Sequence, residues 1–264
     1  MLLLTPETNC AYSCSFCFFR SWGKPAGAKK KDLGFYEELL WQTDEDWIGL
    51  SLNAGAKEKD RRDFQELAML AAFLKKTVTA TTLLSVAREI PDLFRLCKYV
   101  GVSLDNEKHP GFMKKPEEIL DSLSKLSGEI GFERLVINLT LDSPKIFPGI
   151  TDNGFLPELF SLARTLYLIV PKPVRAGRDP KEFFEAAGRI FSLCQSKYPG
   201  RAQLDCGTMA AFGLISACPV TLAVDPFGRV RACPYQEVPN GTINKPEEIR
   251  YWESIPRQHY CLFS

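Results

Sequence analysis

The chain begins with a stretch that joins a strand to a group of cysteines, LLLTPETNCAYSCSFC at residues 2–17. Residues 2–5 predict a short β-strand, because an apolar run is followed by a proline that breaks it. Three cysteines follow at spacings of four and three, Cys10, Cys14 and Cys17. Three thiolates in one short loop can converge on one inorganic centre. A cubane iron–sulfur cluster held by only three cysteines keeps one iron open to another ligand.

Beyond this stretch, strand-like and helix-like segments alternate. Apolar and β-branched runs predict strands at 2–5, 47–52, 77–82, 99–105, 135–141 and 166–170. Helical periodicity predicts helices at 34–42, 60–75, 93–96, 116–126, 155–163 and 180–195. Strands separated by helical crossovers lie parallel in one sheet, so the fold class is α/β. Most of the strands are nearly continuously apolar, which predicts that both faces of the sheet are covered.

The cysteine loop follows the first strand of this predicted sheet. Binding sites of parallel α/β folds gather at the carboxyl ends of the strands. We therefore expect Cys10, Cys14 and Cys17 at that edge, beside the loops that follow the other strands.

The motif Cys10-x3-Cys14-x2-Cys17, with the aromatic Phe16 before its last cysteine, resembles the signature of the radical S-adenosylmethionine (radical SAM) enzymes. The resemblance implies a partial (β/α)6 TIM-type barrel and a [4Fe–4S] cluster whose open iron binds S-adenosylmethionine. Reduction of that cluster by an external donor such as flavodoxin or ferredoxin would yield a 5′-deoxyadenosyl radical. The alternatives are a zinc knuckle and a loop of reduced, inert cysteines.

The resemblance also implies positions that contact S-adenosylmethionine. Phe16 is one of them. The loop after the second strand is another, although many members carry Gly-Gly-Glu-Pro there and this chain reads NAGAKE at residues 53–58. Asn53 and Gly55 are the candidates in this loop, through their backbone carbonyls. At the end of the fourth strand, Ser103 and Asp105 share a face and resemble the ribose-contacting strand end, unless Asp105 merely caps the following turn.

Other polar residues have more open interpretations. Asn138 and Thr140 share a face of an otherwise apolar strand, and their partner is either the cofactor or substrate, or neighbouring backbone. Lys172 and Arg175 either meet an anionic group or are simply solvated. Neither histidine is assigned as a catalytic base, and the catalytic residues stay unknown.

A second group of cysteines follows the point where the alternation stops. Tyr198-Pro199-Gly200 marks a boundary that divides the chain into residues 1–197 and 198–264. The second part carries Cys206, Cys218, Cys233 and Cys261. Cys218 and Cys233 bracket a predicted β-hairpin, which returns its two ends to each other and lets both thiolates reach one metal centre.

The spacing of Cys218, Gly228 and Cys233 is similar to the start of the SPASM and Twitch extensions of radical SAM enzymes. The resemblance implies a small hairpin-and-helix extension of the Twitch type with an auxiliary [4Fe–4S] cluster. Its ligands would be Cys218, Cys233 and Cys261, with Cys206 as the fourth. A four-cysteine zinc site made by the same residues is the alternative.

Composition excludes few functions, but it bears on the partners, the compartment and the chemical state of the cysteines. With 33 basic and 32 acidic residues the net charge is +1, so we expect no nucleic-acid or membrane partner. The apolar run at the start is too short for a signal peptide and nowhere do eighteen apolar residues run together, which predicts a cytoplasmic protein. In that compartment nine cysteines favour metal ligands and buried thiols over disulfides.

The resemblance implies an oxidoreductase that abstracts hydrogen from a C–H bond of its substrate, while the auxiliary cluster assists electron transfer. The substrate would be a small molecule or a peptide. The first alternative is the modification of a ribosomally made peptide by crosslinking, epimerisation or oxidation. Further alternatives are a nucleotide rearrangement and a non-catalytic iron–sulfur or zinc-binding protein.

Overall fold

A computed structural model of the chain describes residues 1–6, 10, 27–105, 115–141, 147–152, 154–170, 180–205, 208–209, 222–233 and 239–255. The strands in these ranges are β1 (Leu2–Leu4), β2 (Trp47–Leu52), β3 (Thr77–Leu83), β4 (Tyr99–Leu104), β5 (Leu135–Thr140), β6 (Thr165–Ile169), β7 (Ala202–Leu204), β8 (Leu222–Val224), β9 (Arg229–Arg231) and β10 (Gly241–Thr242). The α-helices are α1 (Leu33–Gln42), α2 (Glu58–Phe73), α3 (Leu84–Glu89), α4 (Pro116–Ile130), α5 (Phe147–Asp152), α6 (Phe155–Leu162), α7 (Pro180–Lys197) and α8 (Ile249–Ser254). None of these helices combines the length and the apolar character needed to cross a membrane.

All ten of these strands belong to one sheet, in the order β10-β9-β8-β1-β2-β3-β4-β5-β6-β7. Strands β1 to β7 are parallel neighbours in chain order, and β8 joins the other side of β1, also parallel. Strand β9 is antiparallel to β8, and β10 is antiparallel to β9. The prediction of an α/β fold with a parallel sheet is confirmed. The sheet is open across the described strands, as in a partial barrel.

The predicted elements agree closely with the observed ones. Each of the six predicted parallel strands lies within one residue of its observed bounds, and the predicted hairpin is formed by β8 and β9. Several elements differ, among them α5 at Phe147–Asp152, where no helix is predicted. A seventh parallel strand, β7, pairs with β6 beyond the predicted boundary at residue 197. The helix predicted at 93–96 is a 3-10 turn at Pro91–Phe94, preceded by the short helix α3.

The two faces of the sheet differ in composition within the described residues, and the covering of both faces stays a prediction. On the first face, apolar side chains such as Leu50, Val102 and Leu139 are 1%, 0% and 0% exposed. On the opposite face, which we call the polar face, the strands present small or polar residues. These include half-buried Ser103 and exposed Thr81. Alternation along each strand places successive side chains on opposite faces, and the polar face also carries some apolar side chains, such as Leu83, which is paired with Ser103 and is 6% exposed.

Helix α1 shows how the sequence fixes the elements beside the cysteine loop. Asp32 caps its start, because a carboxylate oxygen accepts a hydrogen bond of 3.0 Å from the Phe35 N–H. Phe35, Tyr36, Leu39 and Leu40 lie on one side of the helix and are buried. The helix therefore follows the cysteine stretch as a fixed element of the core.

Candidate functional site

The carboxyl edge of the sheet is the edge at which β1 to β8 end. Strand β1 ends there at Leu4, and the chain continues into the cysteine stretch. Cys10 is exposed. Cys14, Cys17 and Phe16 lie outside the described residues, so the cluster-binding triad and the Phe16 contact stay predictions.

Both flanks of the cysteine stretch are hydrogen-bonded to the turn between β8 and β9. On the near side, the backbone N–H and the hydroxyl of Thr5 both donate to the Val224 carbonyl, each at 3.1 Å. On the far side, the Lys31 N–H donates to the Pro226 carbonyl at 2.8 Å, and its ammonium donates to the Asn244 carbonyl at 3.2 Å. The C-terminal hairpin thus holds Thr5 and Lys31, which flank the cysteine motif in the sequence, by hydrogen bonds.

A buried charge network holds that hairpin turn in place. One carboxylate oxygen of Asp225 accepts from the backbone N–H groups of Phe227 and Arg229 at 2.9 and 3.0 Å. The other accepts from the Arg231 guanidinium at 3.0 Å, and both of these side chains are fully buried. The Tyr36 hydroxyl donates to the Asp225 carbonyl at 2.9 Å and so ties the turn to α1.

The electrostatics of this network follow from its burial. Burial raises the pKa of the Tyr36 hydroxyl, and the nearby Asp225 charge raises it further. Burial lowers the pKa of Arg231, although its hydrogen bond to Asp225 acts in the opposite direction. The same carboxylate also pairs with Arg229, so loss of Asp225 would remove a charged partner from two arginines, whereas loss of Arg231 would leave Asp225 paired with Arg229.

On the polar face, four side chains from adjacent strands form a row in register. Ser103 on β4 pairs with Asn138 on β5, Asn138 with Tyr167 on β6, and Tyr167 with Gln203 on β7. We call Ser103, Asn138, Tyr167 and Gln203 the polar row. Neighbouring strands are about 4.8 Å apart, so the row extends over about 14 Å. Its hydroxyl, amide and phenol groups both donate and accept hydrogen bonds.

The Asn138 side chain lies over Gly101 of the neighbouring strand. A Cβ atom placed on Gly101 would be 2.7 Å from the Asn138 side-chain nitrogen. The glycine therefore provides the space that the amide occupies. The structure brings predicted residues Ser103 and Asn138 together as direct neighbours, and Thr140 is buried two residues beyond Asn138.

Asn53, Gly55 and Asp105 lie at the carboxyl edge, as predicted. Asn53 begins a turn after β2 in which its carbonyl accepts from the Ala56 N–H at 3.2 Å, and Gly55 has a φ of 87°. Asp105 directly follows β4 and is fully buried. One strand separates β2 from β4, so the two loops start about 10 Å apart. Their contacts with S-adenosylmethionine stay predictions, and Lys172 and Arg175 lie outside the described residues.

Sequence reasoning missed Ser51, which is on the polar face of β2. This residue is 4% exposed, and its hydroxyl has no hydrogen-bond partner within the described part of the chain. A buried hydroxyl without a partner costs about 1–3 kcal/mol, so it marks a place where a ligand can contribute a hydrogen bond. The alternation of large apolar with small residues along WIGLSL at 47–52 is the signal that could have found it.

Two of the cysteines among the described residues are buried thiols. Cys97 and Cys194 are 1% and 0% exposed and pack in the core as small hydrophobic residues. Burial raises the pKa of the Cys97 thiol to about 12 and that of Cys194 to about 11. Neither thiol is therefore suited to ligate a metal at neutral pH.

Of the predicted auxiliary ligands, the structure describes Cys233. It is half-buried and lies two residues after β9, which runs antiparallel to β8 and so away from the carboxyl edge. Cys206, Cys218 and Cys261 lie outside the described residues. Within the described ranges no three His, Cys, Asp or Glu side chains form a group that could hold a metal. The auxiliary centre stays a prediction.

Comparison with known proteins identifies the fold. No protein-family profile matches the chain, and no curated protein sequence matches it. Among solved structures, SuiB from Streptococcus suis bound to S-adenosylmethionine aligns with a TM-score of 0.62 and 14% identity over 97% of this chain. SuiB bound to its precursor peptide SuiA aligns with a TM-score of 0.66, 15% identity and 97% coverage of this chain.

A third structure, native anSMEcpe with bound AdoMet and the Cp18Cys peptide, aligns with a TM-score of 0.61 and 12% identity. The alignment covers 98% of this chain and 81% of the anSMEcpe chain. This chain spans 64% and 65% of the two SuiB chains that it matches. The fold of the chain is therefore that of proteins crystallised with S-adenosylmethionine and with peptides.

Proposed function

We propose that the protein is a radical SAM enzyme that abstracts hydrogen from a C–H bond of a peptide substrate. The observation that carries the proposal is the Cys10-x3-Cys14-x2-Cys17 motif in the sequence that follows β1, a strand that ends at the carboxyl edge of a parallel sheet. The likeness to SuiB bound to S-adenosylmethionine supports the cofactor. Thiolates are soft ligands that suit iron–sulfur clusters, and the buried Ser51 hydroxyl leaves one hydrogen bond for a ligand at this end of the sheet.

Three thiolates would hold a [4Fe–4S] cluster that supplies the electron for reductive cleavage of S-adenosylmethionine to a 5′-deoxyadenosyl radical. The chain itself fixes the geometry. Thr5 and Lys31 anchor the ligand loop to the hairpin turn at Val224 and Pro226. Asn53, Gly55, Ser103 and Asp105 would orient the cofactor, with Phe16 beside the cluster. An external donor such as flavodoxin or ferredoxin would provide the electron.

A peptide substrate is favoured by two observations. SuiB and anSMEcpe were both crystallised with peptides. The polar row carries neutral groups that donate and accept hydrogen bonds, and such groups can pair with the N–H and C=O groups of a peptide backbone. The product would be a peptide that contains a crosslinked, epimerised or oxidised residue.

The C-terminal hairpin supports a second metal centre as part of this proposal. Cys218, Cys233 and Cys261, with Cys206 as the fourth ligand, would hold an auxiliary [4Fe–4S] cluster. With four thiolates, no iron of the auxiliary cluster would stay open to another ligand. The cluster would then transfer electrons rather than bind substrate.

S-adenosylmethionine cleavage tests the reaction class. Anaerobically reconstituted and reduced protein is expected to form 5′-deoxyadenosine, and Cys14→Ala is expected to abolish it. Cys97→Ala is the matched control, because it removes a buried thiol from elsewhere in the chain, and it should retain activity. Persistent inactivity of protein with a confirmed cluster would favour a binding protein instead.

Metal analysis tests the number and kind of centres. Two cubanes predict about eight irons per chain, of which Cys233→Ala should lose about four. A metal content of about four irons and one zinc per chain would indicate that the auxiliary site holds zinc rather than an iron–sulfur cluster. The peptide is tested separately, by incubation with short peptides encoded beside the gene and mass spectrometry of the product.

A further inference from the structure

Basic residues occupy one repeated position at the amino edge of the sheet, the edge at which β3 to β7 begin. A lysine or arginine directly precedes each of these five strands: Lys76, Lys98, Arg134, Arg164 and Arg201. Helices of a parallel α/β fold run opposite to the strands, so their C-terminal carbonyls gather at this edge. Cations there are favourable for the fold alone, and this contribution must be separated from any binding function.

Three of the five side chains serve the fold. Their donors reach main-chain carbonyls at or near helix ends: Lys76 reaches Thr43 and Glu45, Arg134 reaches Arg95, and Arg201 reaches Phe160 and Ala163. These bonds satisfy carbonyls that a helix C-terminus leaves without an internal partner. These bonds give Lys76, Arg134 and Arg201 a structural role, and Lys98 and Arg164 are left to be explained.

The other two cations, Lys98 and Arg164, lie beside one aromatic ring. The Lys98 ammonium is 5.6 Å from the centroid of the Tyr99 ring, and the Arg164 guanidinium carbon is 5.4 Å from it. Tyr99 stacks on Trp47 with centroids 6.2 Å apart, and the Lys98 ammonium is 5.1 Å from the Trp47 centroid. The stacked rings hold both cations at the surface.

The charges of these two residues are only weakly compensated. Within the described residues no hydrogen bond or ion pair engages the Lys98 ammonium, whose contacts are with aromatic rings. Arg164 is 3.5 Å from the Glu133 carboxylate, but the two side chains are 49% and 74% exposed. Exposed pairs of this kind contribute little, so an incoming anion can compete with Glu133.

Both residues line a groove of about 380 Å³ at the amino edge. The groove is also lined by Lys76, Arg95 and Arg134, and Glu133 is its one acidic residue among the described residues. The lining therefore carries five basic residues and one acidic residue, although Arg95 also pairs with the exposed Asp92 at 2.6 Å. A concave surface of one charge attracts and retains a partner of the opposite charge.

We propose that this groove binds an acidic peptide segment in an extended conformation. It spans the starts of β3 to β6, about 14 Å at the usual strand spacing, which matches about four extended residues. Carboxylates at alternate positions would face Lys98 and Arg164. The low net charge of the chain argues against nucleic acid, whose binding domains are strongly basic. The groove and the carboxyl edge lie at opposite ends of the strands, so this inference is independent of the proposed reaction.

Fluorescence anisotropy with fluorescein-labelled octaglutamate, using the anaerobically purified full chain, tests this binding. The double variant Lys98→Glu/Arg164→Glu should weaken binding at least tenfold. The control Lys125→Glu/Arg189→Glu makes the same change in net charge at exposed helix positions, and it should change binding less than twofold. The milder Lys98→Ala/Arg164→Ala should fall between them and keeps the test valid if charge reversal prevents folding.

Two results would overturn the proposal. One is octaglutamate binding that is equally weakened by the control and by the groove variant, since the attraction would then come from overall charge. The other is binding of fluorescein-labelled oligothymidylate, but not octaglutamate, with the same dependence on Lys98 and Arg164. S-adenosylmethionine cleavage by the groove variants should be unchanged, which separates this test from that of the proposed function.

Discussion

Thr5 donates two hydrogen bonds to the single carbonyl of Val224, one from its backbone N–H and one from its hydroxyl, each at 3.1 Å. The two residues are 219 positions apart in the chain. Thr5 lies between β1 and the cysteine stretch, whereas Val224 ends the first strand of the C-terminal hairpin. The segment that joins β1 to the predicted cluster loop is therefore held by hydrogen bonds to the C-terminal hairpin.

Replacement of Thr5 by valine should measure this connection. Valine keeps the shape of threonine and the backbone N–H but removes the hydroxyl donor, so we expect a loss of about 0.5–1.5 kcal/mol in the free energy of unfolding. Urea denaturation of the purified chain measures the change. Thr79→Val is the control, because the Thr79 hydroxyl makes a longer bond of 3.4 Å at a half-buried position. Equal losses for both variants would contradict a special role for Thr5.

Loss of the charge on Asp225 should be far more costly. Asp225→Asn keeps an oxygen for the backbone N–H groups of the turn but removes the negative charge that faces the fully buried Arg231 and its neighbour Arg229. We expect a loss of about 3–5 kcal/mol, also by urea denaturation. The control Asp121→Asn removes an exposed pair with Lys125 and should cost less than about 1 kcal/mol.

A double variant separates the pair from its surroundings. Arg231→Met alone should be less harmful than Asp225→Asn, because Asp225 keeps its ion pair with Arg229, and the two changes together should cost less than the sum of the single losses. Additive losses would show that the two charges do not act as a pair.

Strands and helices were predictable because their signals are local. The apolar runs at 47–52 and 99–105 predict strands without any knowledge of their neighbours. Strand β7 was not predictable, because Ala202–Leu204 has only three residues and is defined by its pairing with β6. The parallel contact between β1 and β8 is equally non-local, and nothing in either strand specifies the other.

The candidate site was predictable in its chemistry rather than in its arrangement. Residue type and strand alternation identified Ser103 and Asn138, but the register that makes them neighbours depends on the pairing of β4 with β5. Ser51 went unnoticed because a serine within a strand becomes informative only once its burial is known. The polar face was not recognised from the sequence, because many of its residues are small and carry little weight in a count of apolar residues.

The buried thiols predict a distinct pH dependence of chemical labelling. The thiolate is the reactive form, and burial raises the pKa of Cys97 from an ordinary value of 9.0 to about 12. At pH 8 its thiolate fraction is thus about a thousandfold lower than that of an ordinary thiol. We expect iodoacetamide labelling of Cys97 to keep rising with pH beyond pH 9, towards 12.

Cys194, whose pKa is raised to about 11, should behave similarly at lower pH. Mass spectrometry of tryptic peptides measures both rates, and labelling in guanidinium chloride provides the unfolded reference. Rapid labelling of either thiol at pH 8 in the native chain would contradict their burial.

Gly101→Ala should disturb the polar row without unfolding the protein. The added Cβ would lie 2.7 Å from the Asn138 side-chain nitrogen and 3.5 Å from the Ala80 carbonyl oxygen, so the amide has to move while the strand stays in place. We expect weaker binding of S-adenosylmethionine or peptide by calorimetry, with little change in unfolding. Gly128→Ala is the matched control, since nothing lies within 4 Å of its added Cβ on α4, and it should stabilise the chain by about 0.5–1 kcal/mol. If Asn138 carries the effect, Gly101→Ala should weaken binding no further in an Asn138→Ala background, and a full additional loss there would assign the effect to the backbone of β4 instead.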